Sequence, residues 1–152
     1  MIGGYSSENI TAQIFQRILT LIPDLFIIDD VGISEIDGQM PLDCEVLLRT
    51  QDRLTLRLSH SAEQASGRTV INTEMTLAVY ANRSMAEALT YQDAYMVESV
   101  YSPNKSHIDI LAKRVWNDYL HTWLGNLIAM GHSIKAAIRF FFDDFVFRLV
   151  VG

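Results

Sequence analysis

The stretch LDCEVLLRTQDRLTLRLSH, residues 42–60, decides the fold. Leu42, Cys44, Val46 and Leu48 alternate with Asp43, Glu45 and Arg49, and only Leu47 breaks the polar side. Leu54, Leu56 and Leu58 then alternate with Arg53, Thr55, Arg57 and Ser59. Successive side chains of a strand point to opposite faces, so a period of two puts the leucines on one buried surface and the arginines on an open one. This is the pattern of a half-buried antiparallel sheet, with the turn at 50–52 joining the two strands as a hairpin.

Working outward, residues 70–80 bring Ile71, Thr73, Met75, Leu77 and Val79 to one side, a third strand. Asn82 and Arg83 form the turn into a fourth at 85–91, and a fifth runs over 95–101. On the N-terminal side, residues 29–40 are rich in Gly, Asp and Ser and read as a connection. Before them Ile10, Ile14, Ile18, Leu21, Ile22 and Leu25 recur at helical spacing. An amphipathic helix capped by Ser6 or Ser7 is expected there, stopping near Leu21 because Pro23 removes a donor and disfavours helical geometry before it.

Beyond the strands lies YSPNKSHIDILAKRVWNDYLHTWLGNLIAMGH, residues 101–132. Ser106 and Asp109 have the spacing of a capping box, which starts a helix at His107, and Gly131 supplies its left-handed end. The helix is about 24 residues, roughly 36 Å, long enough to lie across five strands. Ile108, Leu111, Ala112, Val115, Tyr119, Trp123, Leu124 and Leu127 mark its apolar face, with Lys113, Arg114, Asn117, Asp118 and His121 opposite.

The same residues resemble a family, the small YqiB-like proteins of proteobacteria, a domain of unknown function. Its pattern is carried by Tyr101, Pro103, Asn104, Lys105, Lys113, Asn117, Leu120, Trp123, Leu124 and Gly131, and also by MTLAVYANRSMAEALTYQ, residues 75–92. The likeness spans about residues 8–132. Where the family has an acidic pair before the helical lysine, this chain has Leu111 and Ala112. The resemblance implies a fold and a bacterial, cytosolic setting, with no activity, substrate or cofactor.

Composition limits the function classes. The chain has 152 residues, 49% hydrophobic and 20% charged, enough for one core. Its formal charge of −6 repels a phosphate backbone, so nucleic acid is not an expected partner. Cys44 is the one cysteine, which rules out an internal disulfide. No apolar run reaches the ~20 residues of a membrane span. The start MIGGYSSENI lacks a secretory pattern, so a cytoplasmic location is expected.

Sites are sparse. The Pro103, Asn104, Lys105 turn before a helix is rich in donors and could hold an anion or a partner, or could simply shape the chain. Tyr101, Lys113, Asn117 and Trp116 join it as candidate binding residues. Trp116 and Trp123, seven apart, form an aromatic surface, in the core or at an interface. His60, His107, His121 and His132 show no i, i+4 pair, so no metal site is expected. No phosphate loop, nucleophile elbow or paired-carboxylate motif is present; no catalytic residues and no cofactor are expected.

The tail, residues 133–152, carries Phe140, Phe141, Phe142 and Phe145 beside Asp143 and Asp144. It reads either as a strand that extends the sheet or pairs with a second copy, with Phe145, Phe147, Leu149 and Val151 alternating, or as a helix over 134–145. Burial on the domain or in a homodimer is expected.

The expectation is therefore an α+β domain over 1–132: an N-terminal helix, a four- to five-stranded antiparallel meander and a long C-terminal helix packed on one face, with an apolar extension over 133–152. Its function is expected to be non-enzymatic, binding a protein partner as an adaptor or regulator. The alternative is a small-molecule binder or enzyme with a pocket between the long helix and the sheet.

Overall fold

A computed structural model of the chain describes residues 7–28, 30–63, 66–104, 106–135, 137–142 and 145–150, by backbone alone at 7–8, 62–63, 69–70, 137–142 and 145–150. The elements are α1 (Ser7–Leu21), β1 (Val31–Ser34), β2 (Leu42–Arg49), β3 (Leu54–Glu63), β4 (Thr69–Tyr80), β5 (Met85–Gln92), β6 (Val97–Ser99), α2 (Ile110–Ala129), β7 (Ala137–Phe142) and β8 (Phe145–Val150). The first six strands form one antiparallel sheet in chain order. An α+β meander is what the leucine alternation predicts, with one more strand than expected.

The sheet buries one face. Leu42, Cys44, Leu54, Leu56, Leu58, Met75, Leu77 and Val79 form the floor of the core. Two helices roof it: α1 packs on α2, and both pack on β5. From α1 and the turn after it come Ile10, Ile14, Ile18, Leu21, Ile22 and Leu25, all buried as their spacing requires. The helix ends at Leu21, two residues before Pro23. Ser6 lies outside the described residues.

Four expectations need correction. The connection at 29–40 contains β1, which pairs with β2 from Val31 opposite Glu45 to Ser34 opposite Leu42. Its Val31 and Ile33 face solvent, so tertiary pairing rather than an alternating pattern makes it a strand. Leu48 and Ile71 leave the core face because extra residues, Leu47 and Asn72, bulge from β2 and β4 and shift the register. The apolar residue that breaks the polar side of β2 is thus the bulge itself.

The third correction concerns the start of α2. Its cap is Asp109, whose Oδ1 accepts the N–H of Ala112 at 2.9 Å, and not Ser106. Ser106 is instead tied to Asn104 in the preceding turn. The fourth is the buried face of α2: Trp116, Asn117, Leu120, Trp123, Leu124 and Leu127 face inward, whereas Ile110, Leu111 and Val115 are exposed. The helix is rotated because α1 occupies one flank and takes part of its surface.

The end of α2 follows expectation. Gly131 has φ +96°, its N–H donates to Ile128 O, and the N–H of His132 donates to Leu127 O, the paired bonds of a Schellman motif. The chain then returns under β1. The N–H of Ile134 donates to Leu21 O at 2.9 Å, and the Ile134 side chain is fully buried.

Of the two readings of the tail, residues 145–150 do form a strand, but it does not extend the main sheet: β7 and β8 pair antiparallel, Phe142 with Phe145, in a two-stranded sheet of their own. The helical reading over 134–145 is overturned. Asp143 and Asp144 lie outside the described residues, as does Val151. Among the described residues, no helix is long and apolar enough to cross a membrane.

Candidate functional site

The face of the sheet turned away from the helices is polar. Arg57 pairs with Glu45 and lies 3.7 Å from Glu74 across neighbouring strands. A cleft of about 370 Å³ opens at the β5 end of this surface, lined by Arg53, Tyr80, Glu87, Leu89 and Tyr101 among others. That volume is within the range of small-molecule sites.

Glu87 anchors the cleft. Its strand neighbours Ala86 and Ala88 are buried in the core, which turns Glu87 to the opposite face, where it is only 8% exposed. A carboxylate so enclosed needs donors. The Tyr101 hydroxyl donates to Oε1, and Lys113 Nζ lies 3.8 Å from Oε2 and donates to the Tyr101 hydroxyl at 3.4 Å. Tyr101 reaches this position because it forms a bridge with Ile108, closing a loop whose Pro103 and Ser102 form the cleft wall. Lys113 arrives from the first turn of α2.

The other side of the cleft is cationic. Arg53 Nε donates to Thr55 Oγ1 at 3.1 Å, and the Arg83 guanidinium lies 4.5 Å above the Tyr80 ring. No ion pair among the described residues includes Arg53 or Arg83. With Lys113 matched to Glu87, Arg53 is the cleft-lining charge without an ion pair among the described residues.

Electrostatics fix the protonation states. Burial, then the hydrogen bond and charge of Glu87, raise the pKa of Tyr101. Burial and the charge of Glu87 also raise that of Tyr80, against the opposing effect of Arg53 and Arg83. Both phenols therefore stay protonated at neutral pH, with the Tyr101 proton committed to Glu87. Arg53 is the group on the cleft lining suited to an anionic ligand.

The sequence candidates divide. Tyr101 and Pro103 line the cleft, and Lys113 stands directly behind it. Asn104 shapes the loop, its Oδ1 accepting from Ser106 N at 3.0 Å and from Ser102 Oγ at 2.8 Å. Lys105 lies outside the described residues. Asn117 and Trp116 are core residues: Asn117 is bonded to β5, while the Trp116 ring stacks on Tyr91 at 4.1 Å and its indole donates to Glu98. Burial pushes the Cys44 thiol up to about 12, so it is inert packing.

Glu87, Tyr80 and Arg53 are absent from the sequence candidates. They come from three separate strand ends, and only the register brings them together. One signal was available: an acid between two alanines in a strand has small core neighbours and must itself face the other way.

No curated protein and no solved structure matches the chain. A family model described as "Protein of unknown function (DUF1249)" matches residues 17–133, from the middle of α1 to just past the glycine that ends α2. The match takes in the whole six-stranded sheet, both cleft walls and all of α2, and the chain belongs to that family.

Proposed function

We propose that the chain is a non-enzymatic binding domain whose cleft receives a small molecule bearing a carboxylate or phosphate. The observation that carries this reading is the guanidinium of Arg53, without an acidic partner among the described residues, on the lining of a cleft whose buried Glu87 is already matched by Tyr101 and Lys113. Leu89, Ile108 and Pro103 supply an apolar wall for the rest of the ligand. A charged group fixes orientation, and apolar contact supplies affinity.

Thermal-shift measurements with small carboxylates and phosphate esters, with and without an aromatic ring, test the proposal. A ligand at 100 times its dissociation constant adds about 2.7 kcal/mol to stability. The expected result is a stabilising hit that Arg53→Ala abolishes without loss of fold. A panel with no hit, or hits indifferent to Arg53→Ala, contradicts it.

A protein contact is the second reading, favoured by the exposed apolar residues Ile110, Leu111 and Val115 along α2. It predicts that Leu111→Glu abolishes capture of a partner while leaving ligand shifts unchanged.

A further inference from the structure

The histidines, scattered in sequence, do not stay scattered. His60 lies on β3 opposite Leu42 and Thr73, at the other end of that strand from Arg53. His132 is the second residue after the Met130 cap of α2. Their ring centroids are 5.5 Å apart at 56°. The Nε2 atoms of both rings are sealed from solvent and have no hydrogen-bond partner. His132 is 4% exposed.

An unpaired buried polar atom costs about 1–3 kcal/mol, and here two occur on neighbouring rings. Burial lowers the pKa of each ring, so both are neutral at pH 7, the form in which imidazole is a metal ligand. His132 Nδ1 lies 2.9 Å from Ser34 Oγ, which also accepts the Ser133 N–H at 3.1 Å. A hydroxyl oxygen can accept twice. With the Nδ1 proton donated to Ser34, the lone pair of His132 is on Nε2, the tautomer that metal-bound histidines adopt through such an outer partner.

We propose that His60 and His132 form a two-imidazole site for a divalent transition-metal ion, bound through their Nε2 atoms. Two imidazoles on a tetrahedral zinc at 2.0–2.1 Å have ring centroids roughly 5.2 Å apart, close to the 5.5 Å between these two rings. Imidazole suits zinc, nickel and copper alike. Among the described residues no group of three or more His, Cys, Asp and Glu could hold a metal, so the two imidazoles are the protein ligands of the proposed site. Gln39 Oε1 is a further buried acceptor without a partner, at the same end of α2, where its amide donates to Met130 O at 3.3 Å. With two protein ligands, the site differs from a four-ligand structural site. It is independent of the cleft and stands whether or not the cleft binds an anion.

Untagged full-length protein, stripped with EDTA and dialysed, is titrated with zinc chloride and with nickel chloride by calorimetry. One ion per chain is expected, and His60→Asn or His132→Asn alone should weaken binding about tenfold or more. The double variant His107→Ala, His121→Ala should bind as wild type. Because a buried substitution can disturb folding, two-bond proton–nitrogen spectra of wild-type imidazoles provide a second reading. Zinc should shift the Nε2 signals of two histidines and leave the other two in place. Absence of one-to-one binding, binding retained in both single variants, or shifts confined to His107 and His121 overturns the proposal.

Discussion

Asn117 Oδ1 accepts the backbone N–H of Ala88 at 2.8 Å, which bonds the middle of α2 to the sheet beside the extra residue, Leu89, that bulges from β5. The bond is buried, and the amide side chain substitutes for a strand partner at the irregular point of the ladder. Asn117→Leu leaves that N–H without an acceptor and should cost about 1–3 kcal/mol. Urea denaturation should show a lower midpoint with an unchanged slope.

Tyr101→Phe removes one of the two donors that compensate the buried Glu87. A loss of about 1–3 kcal/mol is expected. Adding Glu87→Gln should recover part of it, because the charge that needed the phenol is gone, and a double-mutant cycle measures the coupling.

Gly32→Ala places a Cβ 2.5 Å from Ile134 Cγ2. Ile134 is fully buried, so the methyl group cannot be accommodated by rotation into solvent, and overpacking of this kind costs about 1–3 kcal/mol. In combination with Ile134→Ala the two losses should be less than additive in thermal denaturation. Simple additivity would show that residue 134 does not lie under β1.

Gly131→Ala tests the end of α2 separately. An added Cβ meets only Ile36 Cδ1 at 3.7 Å, an ordinary contact, so the cost arises from φ +96°. About 1–2 kcal/mol is expected, and less for Gly131→Asn, which tolerates that conformation better.

Burial and the nearby Arg17 charge hold the His121 ring below its ordinary pKa. The unfolded chain therefore takes up a proton at higher pH than the folded one. Stability should be level above about pH 6.5, the unfolded value, and should fall as the pH drops from there towards the folded value. His121→Gln should reduce that slope in urea melts run in EDTA. His60 and His132, also lowered by burial, should keep part of it.

The fold was legible wherever periodicity reflected burial. Leu42 and Cys44 of β2, the leucines of β3, the isoleucines of α1 and the Gly131 terminus read correctly, because each signal is local. β1 was not legible, since Val31 and Ile33 are exposed and only pairing with β2 makes them a strand. The rotation of α2 escaped for a related reason: the helix is apolar over most of its girth, and only the position of α1 selects Trp116 and Leu120 over Leu111 and Val115 for burial. In the candidate site, Tyr101 and Pro103 stood out through turn chemistry. Glu87, Arg53 and Tyr80 did not, and neither did His60 beside His132, because their proximity is created by strand register and helix return.

The cleft is tested most directly by proton–nitrogen correlation spectra of the labelled full-length chain, including the arginine side-chain region, during titration with the best carboxylate or phosphate from the thermal-shift panel. The account predicts saturable shifts at Arg53, Tyr80, Tyr101 and Ser102, with the α2 surface around Leu111 unmoved. Shifts centred on Leu111 and Val115, or no saturable shift at Arg53, would contradict it.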